Sequence, residues 1–379
     1  MCKRNKDGEC CYKFADKILL LFILFPFVVF YWNGTWNLWG IYLGTGQPYP
    51  SPQWLIIFVS SARILFFTSA PKLETLLQDR SNWSRRAATK LFLSASGFLA
   101  MGFWRGVWET CLYFMADHRE RTFGLGGSAF ALLVLLRCSK NVLLQPLQTM
   151  ELDISPTVLR PHMRFPAEVG GTLKCTQVLP WIVETHVAFQ TYSGRFFLNC
   201  LFTQFIVTSL VVVSWSTLWL VQLDILGYLK DENANVVALV IGYWLVVTVL
   251  LLNRMLGRIR GKLQGFSWLA ALTFENVVTV VAWFYLCFMW RGAWMTAERV
   301  VRLESDVESA WLSFAIGECG LQLSGTTAWV GGLGCDIDGQ PSNSKVMFDC
   351  AFLKRWKQVK PKPGHNRPKT ENVPHTVCP

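Results

Sequence analysis

Four tryptophan pairs with one spacing carry the clearest chemistry in the sequence. Trp32-Asn-Gly-Thr-Trp36, Trp104-Arg-Gly-Val-Trp108, Trp215-Ser-Thr-Leu-Trp219 and Trp290-Arg-Gly-Ala-Trp294 all read W-x-x-x-W. Four residues apart, two indoles share one helical face, and an indole face attracts cations. Gly34, Gly106 and Gly292 hold the third position of three copies, where a missing side chain lets a neighbouring helix come close. Arg105 and Arg291 hold the second position of two copies. Glu109 lies at i+4 from Arg105, the spacing of a helical ion pair. Arg291 has no acid at i+4, so its partner is expected from another helix. Two readings stand for these arginines: an anion- or headgroup-binding pair facing a cavity, or a structural Arg–Trp–Glu lock. Two also stand for the tryptophans: an aromatic belt at the outer interface, or four clamps that tie helical hairpins together.

Glu318 is the remaining polar candidate, in an apolar run with Gln322 one turn on. An acid inside a membrane is a functional candidate by default; the alternative is a charge pair with Arg63, Arg105 or Arg291. The clusters Gly124-x-Gly126-Gly127 and Gly331-Gly332-x-Gly334 lack the strand before and the Lys-Ser/Thr after that a phosphate loop needs, so they read as helix ends or small-residue packing. No C-x-x-C pair is present and His numbers five. No catalytic, cofactor-binding or metal-ligating residues are therefore expected, and no enzyme activity. Cys10-Cys11, between basic residues and the first apolar run, reads as a palmitoylation site or as two free thiols.

The elements that must position these residues are membrane helices. Of 379 residues, 52% are hydrophobic and 16% charged, against about 25% charged in soluble domains. That composition excludes disorder for most of the chain and a soluble nucleic-acid binder. Eight apolar runs approach the ~20 residues a spanning helix needs: 18–36, 53–69, 91–115, 123–138, 199–222, 236–252, 268–293 and 310–332. The first follows five basic residues and lacks a cleavage site, as in a retained signal anchor. If both termini are cytosolic, twenty-eight Lys and Arg residues fall on the inner side and five on the outer, alternating at every loop. This matches the positive-inside rule. The net charge of +11 then reads as orientation and attraction to anionic inner-leaflet lipid, with no need for nucleic acid. The sequons at Asn33 and Asn82 fit this topology poorly and read as chance matches.

Trp215 follows Trp32 by 183 residues, and Trp290 follows Trp104 by 186. Such self-similarity points to duplication. The expected fold is an all-α membrane protein of eight transmembrane helices, built as two four-helix halves of tandem hairpin repeats, with a pseudo-axis along the membrane normal. The expected domains are a cytosolic N-tail (1–17), a first membrane half (18–138), a cytosolic linker (139–198), a second half (199–332) and a cytosolic basic, Pro-rich tail (333–379). Apolar residues within 172–195 suggest an interfacial helix.

The Trp-Arg-Gly-x-Trp motifs at 104–108 and 290–294, with Trp32-Asn-Gly-Thr-Trp-Asn-Leu-Trp39 after the first run, resemble the Fuseless family of eight-pass invertebrate membrane proteins. The resemblance covers about 17–332; the third copy, at 215–219, departs from it in lacking Arg and Gly. It implies a presynaptic plasma-membrane protein that helps place voltage-gated calcium channels at active zones and supports transmission, with no catalytic residues. The residues themselves leave a second class open, a transporter or channel for a small, anionic solute. A continuous polar cavity lined by Arg105, Arg291 and Glu318 would favour transport; a packed apolar bundle would favour an organiser.

Overall fold

The computed structural model describes residues 14–43, 51–78, 80–115, 119–148, 152–153, 162–163, 194–227, 234–331, 334–335, 338, 346–348 and 352. Cys10, Cys11, the 172–193 stretch and the basic tail from 353 lie outside the described residues. Eight long helices run through the rest. They are α1 (Phe14–Leu43), α2 (Ser51–Gln78), α3 (Asn82–Met115), α4 (Arg119–Leu135), α5 (194–227), α6 (Ala234–Phe266), α7 (Trp268–Val300) and α8 (Asp306–Ser324). A single turn, α9 (Ala328–Gly331), follows. Five of them, α1, α2, α5, α6 and α7, are long and apolar enough to cross a membrane. Helices α1 and α5 each contain a π-helical stretch, Leu20–Leu24 and Phe202–Val207. Each stretch ends eight residues before its helix's first motif tryptophan, Trp32 or Trp215.

The packing departs from consecutive hairpins. Helix α2 lies along α3, α4 along α5 and α6 along α7, while α8 returns to lie along α1. Helices α1, α3, α5 and α7 touch one another in that cyclic order. The bundle is thus two concentric rings: four odd-numbered helices inside, each backed by one even-numbered helix. Because α8 packs on α1, the last helix of the expected second half completes the wall of the first.

Glycine permits the tightest of these contacts. A Cβ on Gly34 of α1 would fall 2.2 Å from the backbone nitrogen of Phe314 in α8, and one on Gly317 of α8 would fall 2.2 Å from that of Tyr31 in α1. Between α6 and α7, Gly242 meets Met289 at 2.3 Å and Gly292 meets Leu239 at 2.4 Å in the same way. Of the cluster at 124–127, Gly126 is a packing position, against Thr217 of α5, whereas a Cβ on Gly124 or Gly127 would meet nothing within 4 Å.

Two chain segments leave the helices and turn back along the bundle. The eighth run ends early: Gly325 adopts a left-handed conformation (φ 69°) and caps α8, so residues 325–331 leave the helix. The linker expected to begin at 139 begins inside the bundle, where Ser139, Val142, Leu143, Gln145 and Leu147 are buried. These two segments are straps, and each is held by the other's aspartate. Arg137 (φ 57°) opens the first strap and Gly325 the second. The Asp338 carboxylate accepts from the Ser139 and Lys140 N–H groups at 2.6 and 3.1 Å, while its own N–H donates to the Arg137 carbonyl. Asp153 does the same for the second strap, accepting from Thr327 and Ala328 at 3.1 and 2.9 Å and donating to the Gly325 carbonyl. A two-residue parallel pairing, His162–Met163 with Gly334–Cys335, adds a second link between the post-strap segments. Burial pushes both carboxyls above their ordinary pKa, and the N–H donors pull partly the other way.

Two stability tests follow from this packing. Gly34→Ala and Gly292→Ala should each cost about 1–3 kcal/mol through overpacking, read as a lower Tm in detergent. Asp153→Ala and Asp338→Ala should each cost about 0.5–2 kcal/mol as lost caps, with Asn largely tolerated; equal Tm for the Ala and wild-type proteins would show that the caps are idle.

Candidate functional site: a tryptophan chamber

The four W-x-x-x-W pairs lie on the four inner helices and face one axis. The first tryptophan of each pair joins an inner ring: Trp32–Trp104, Trp104–Trp215, Trp215–Trp290 and Trp290–Trp32, with centroids 5.1, 6.4, 6.2 and 5.1 Å apart. The second joins an outer ring one turn nearer the C-terminal ends of these helices. Trp36–Trp108, Trp108–Trp219, Trp219–Trp294 and Trp294–Trp36 lie 5.8, 5.9, 6.5 and 5.9 Å apart. Interplanar angles of 80–89° make every outer contact edge-to-face, the arrangement the aromatic quadrupole favours. The two rings wall a cavity of about 260 Å³, completed by Met101, Leu144 and Met295.

The first strap meets the chamber at its inner end. Leu144 lines the cavity; the Trp215 indole donates to the Val142 carbonyl and the Trp290 indole to the Gln145 carbonyl, both at 2.8 Å. Gln145 in turn donates to the carbonyl of fully buried Trp329, tying the first strap to the second. The Lys140 ammonium and Arg260 both pair with the buried carboxylate of Glu275.

Both motif arginines stand behind the rings. Arg105 lies over the Trp36 ring, 5.2 Å from its centroid, pairs with Glu109 at 2.7 Å and donates to the Trp36 carbonyl. Gly40 leaves room for its guanidinium: a Cβ there would fall 2.7 Å from both terminal nitrogens. Arg291 lies over the Trp219 ring, 5.1 Å away. The partner expected from another helix is therefore an indole. The Arg291 Nε and Nη1 are buried and have no hydrogen-bond partner among the described residues. At the position matching Glu109, 186 residues on, stands Met295. A fourth charge, Glu298, accepts from the Trp294 indole at 2.7 Å and from Asn33 at 3.2 Å.

Glu318 is elsewhere. It accepts from Ser94 of α3 and from Gln322, one turn on, at the α1–α3–α8 junction rather than on the chamber wall. None of the three arginines offered as its partners holds it: Arg63 donates to the Gly331 carbonyl of the second strap and lies over Phe67. Of the sequence candidates, Trp32, Trp36, Trp104, Trp108, Trp215, Trp219, Trp290 and Trp294 meet at one site. Arg105, Glu109 and Arg291 support it from behind, Gly34 and Gly292 seat outer helices, Gly106 is buried in α3, and Glu318 stands apart. Asp153, Asp338, Glu275 and Gln145 were missed. Their roles depend on chain reversal after α4 and α8, which no periodicity announces.

Helices of this length and apolarity, closed around an aromatic core, define a multi-pass membrane protein. The Fuseless family model matches residues 11–328; the chain belongs to that family. No curated protein and no solved structure matches it.

The two arginines should respond differently to substitution. Arg105→Leu removes the cation paired with Glu109; at 14% and 16% side-chain exposure the pair is partly buried, so the loss should fall below the ~3–5 kcal/mol of a fully buried pair. Arg291→Leu abandons no acid and removes two unsatisfied donors, so it should fold with near-normal yield. Equal losses of Tm and folded yield in both would show that the cation–indole contact, rather than the ion pair, matters.

Proposed function

We propose that this chain is an eight-pass protein of the presynaptic plasma membrane with both termini cytosolic. In this reading it organises membrane complexes, helping to place voltage-gated calcium channels for transmission, and has no catalysis of its own. Family membership supports the channel-placing role. The division of Lys and Arg across alternate loops supports the topology, with the basic face towards anionic inner-leaflet lipid. Helices α3, α4 and α8 complete the eight spans. Of these, α4 is apolar but shorter than the five, and each of the three lies against an apolar partner, α2, α5 or α1. The equivalent π-helical stretches and the matched tryptophan rings favour descent from a duplicated four-helix unit.

The observation that carries the organiser reading over the transporter is what lines the central cavity: indoles and three apolar side chains. Arg105 and Arg291 stand behind that wall and Glu318 lies off it, so none of the three lines this cavity. A second reading, transport of a small solute, rests on the cavity's place on the bundle axis.

Tags at residue 1 and residue 379 should both resist external protease on intact cells; cleavage of the C-terminal tag alone would remove one span. In neurons lacking this protein, calcium-channel density at release sites should fall. Unchanged density, together with solute flux in liposomes containing the purified chain, would replace the organiser with the transporter.

A further inference from the structure

We propose that the tryptophan chamber is a binding site for a small quaternary ammonium group. The size and shape come first. Inner-ring centroids lie 5.1–6.4 Å from their neighbours, which puts each roughly 4 Å from the ring centre. The rings are four residues apart on their helices, roughly 6 Å of rise. A point midway between them is then roughly 5 Å from all eight centroids, inside the ~6 Å reach of a cation–π contact with each ring that turns its face to the axis. A volume of about 260 Å³ lies below the ~300–1,000 Å³ of drug-sized pockets and suits a small group such as trimethylammonium.

Chemistry selects a cation over a neutral occupant. Trp is the strongest cation–π partner, and the wall offers eight with no ionised side chain facing the space. A quaternary ammonium has no N–H to satisfy, so indole faces and methionine sulfurs meet all its needs. Two of the eight indoles, Trp36 and Trp219, already hold a guanidinium. Two carboxylates stand beside those two charges, Glu109 paired with Arg105 and Glu298 bound to the Trp294 indole, so the arginines do not set up a net repelling field alone. One further observation points to a guest: the Trp32 indole N–H is buried and has no hydrogen-bond partner among the described residues, and an acceptor carried by the ligand, such as the hydroxyl of choline, would answer it.

A free quaternary amine and a phosphatidylcholine headgroup share this chemistry. The test uses the full chain in nanodiscs of phosphatidylglycerol, titrated with choline, tetramethylammonium and 3,3-dimethyl-1-butanol, the uncharged isostere of choline. Binding is read by calorimetry and by indole fluorescence. Both cations should bind at least tenfold more tightly than the isostere. Trp108→Leu should weaken choline at least tenfold, with Trp108→Phe restoring part of that affinity because it returns a π face. If the natural ligand is the lipid headgroup, phosphatidylcholine nanodiscs should raise the apparent Kd for choline by competition; an unchanged Kd there would assign the site to the free amine. Equal affinity for choline and its isostere, or no binding of either cation to the wild-type chain, would overturn the proposal. Should Trp108→Leu fail to fold, the isostere comparison on the wild-type chain still decides.

Discussion

Edge-to-face contact between indoles sets the geometry from which the rest follows. Apolar burial gives membrane helices no driving force to associate, since lipid tails are as apolar as leucine. Eight ring contacts at about 0.5–1.5 kcal/mol each supply an attraction that lipid does not match. They also fix a distance. Four helices whose indoles meet at 5–6.5 Å around an axis cannot pack backbone to backbone across that axis, so the centre stays open. The helices then need support from outside, and glycine provides it: Gly34 and Gly317 seat α8 on α1, and Gly242 and Gly292 seat α6 on α7.

The chain reverses inside the bundle after α4 and after α8, where the first residues of each strap are buried. Buried backbone polar groups persist only where a partner satisfies them. Here the Val142 and Gln145 carbonyls accept from ring indoles, and the leading N–H groups of each strap are taken by an aspartate from beyond the other. Neither strap closes by itself. The reciprocity couples the segment after α4 to the segment after α8 more tightly than a flexible linker would, and the Glu275 pairs with Lys140 and Arg260 extend that coupling to α6 and α7.

The sequence told most about features repeated along one helix. W-x-x-x-W spacing named all eight chamber tryptophans, Gly at the third position named the close contacts of α1 and α7, and i+4 spacing named Glu109 for Arg105 and Gln322 for Glu318. Apolar runs located eight helices. What it left hidden is relations between helices. Hairpin order seemed the natural packing because neighbours in sequence are usually neighbours in space, yet α8 closes on α1. Nothing local distinguishes tryptophans in a belt from tryptophans in a ring: both need the same spacing and the same depth. Asp153 and Asp338 stand in polar stretches where an aspartate is unremarked until the partner strap lies beside it.

The two motif arginines differ in their surroundings. Arg105 pairs with Glu109, but its counterpart Arg291 has Met295 at that place, and Met295 lines the cavity. Where α3 carries an acid behind the wall, α7 carries a thioether that is part of the wall itself. The carboxylate beside α7 is Glu298, one turn from Trp294 and bound to it. Charge balance around the chamber is thus kept while its symmetry is broken. A protein that needed the arginines as anion ligands would gain from leaving both without acids beside an open polar path. This one screens them behind indoles and holds the cavity wall apolar, an arrangement suited to a cation that arrives without its water.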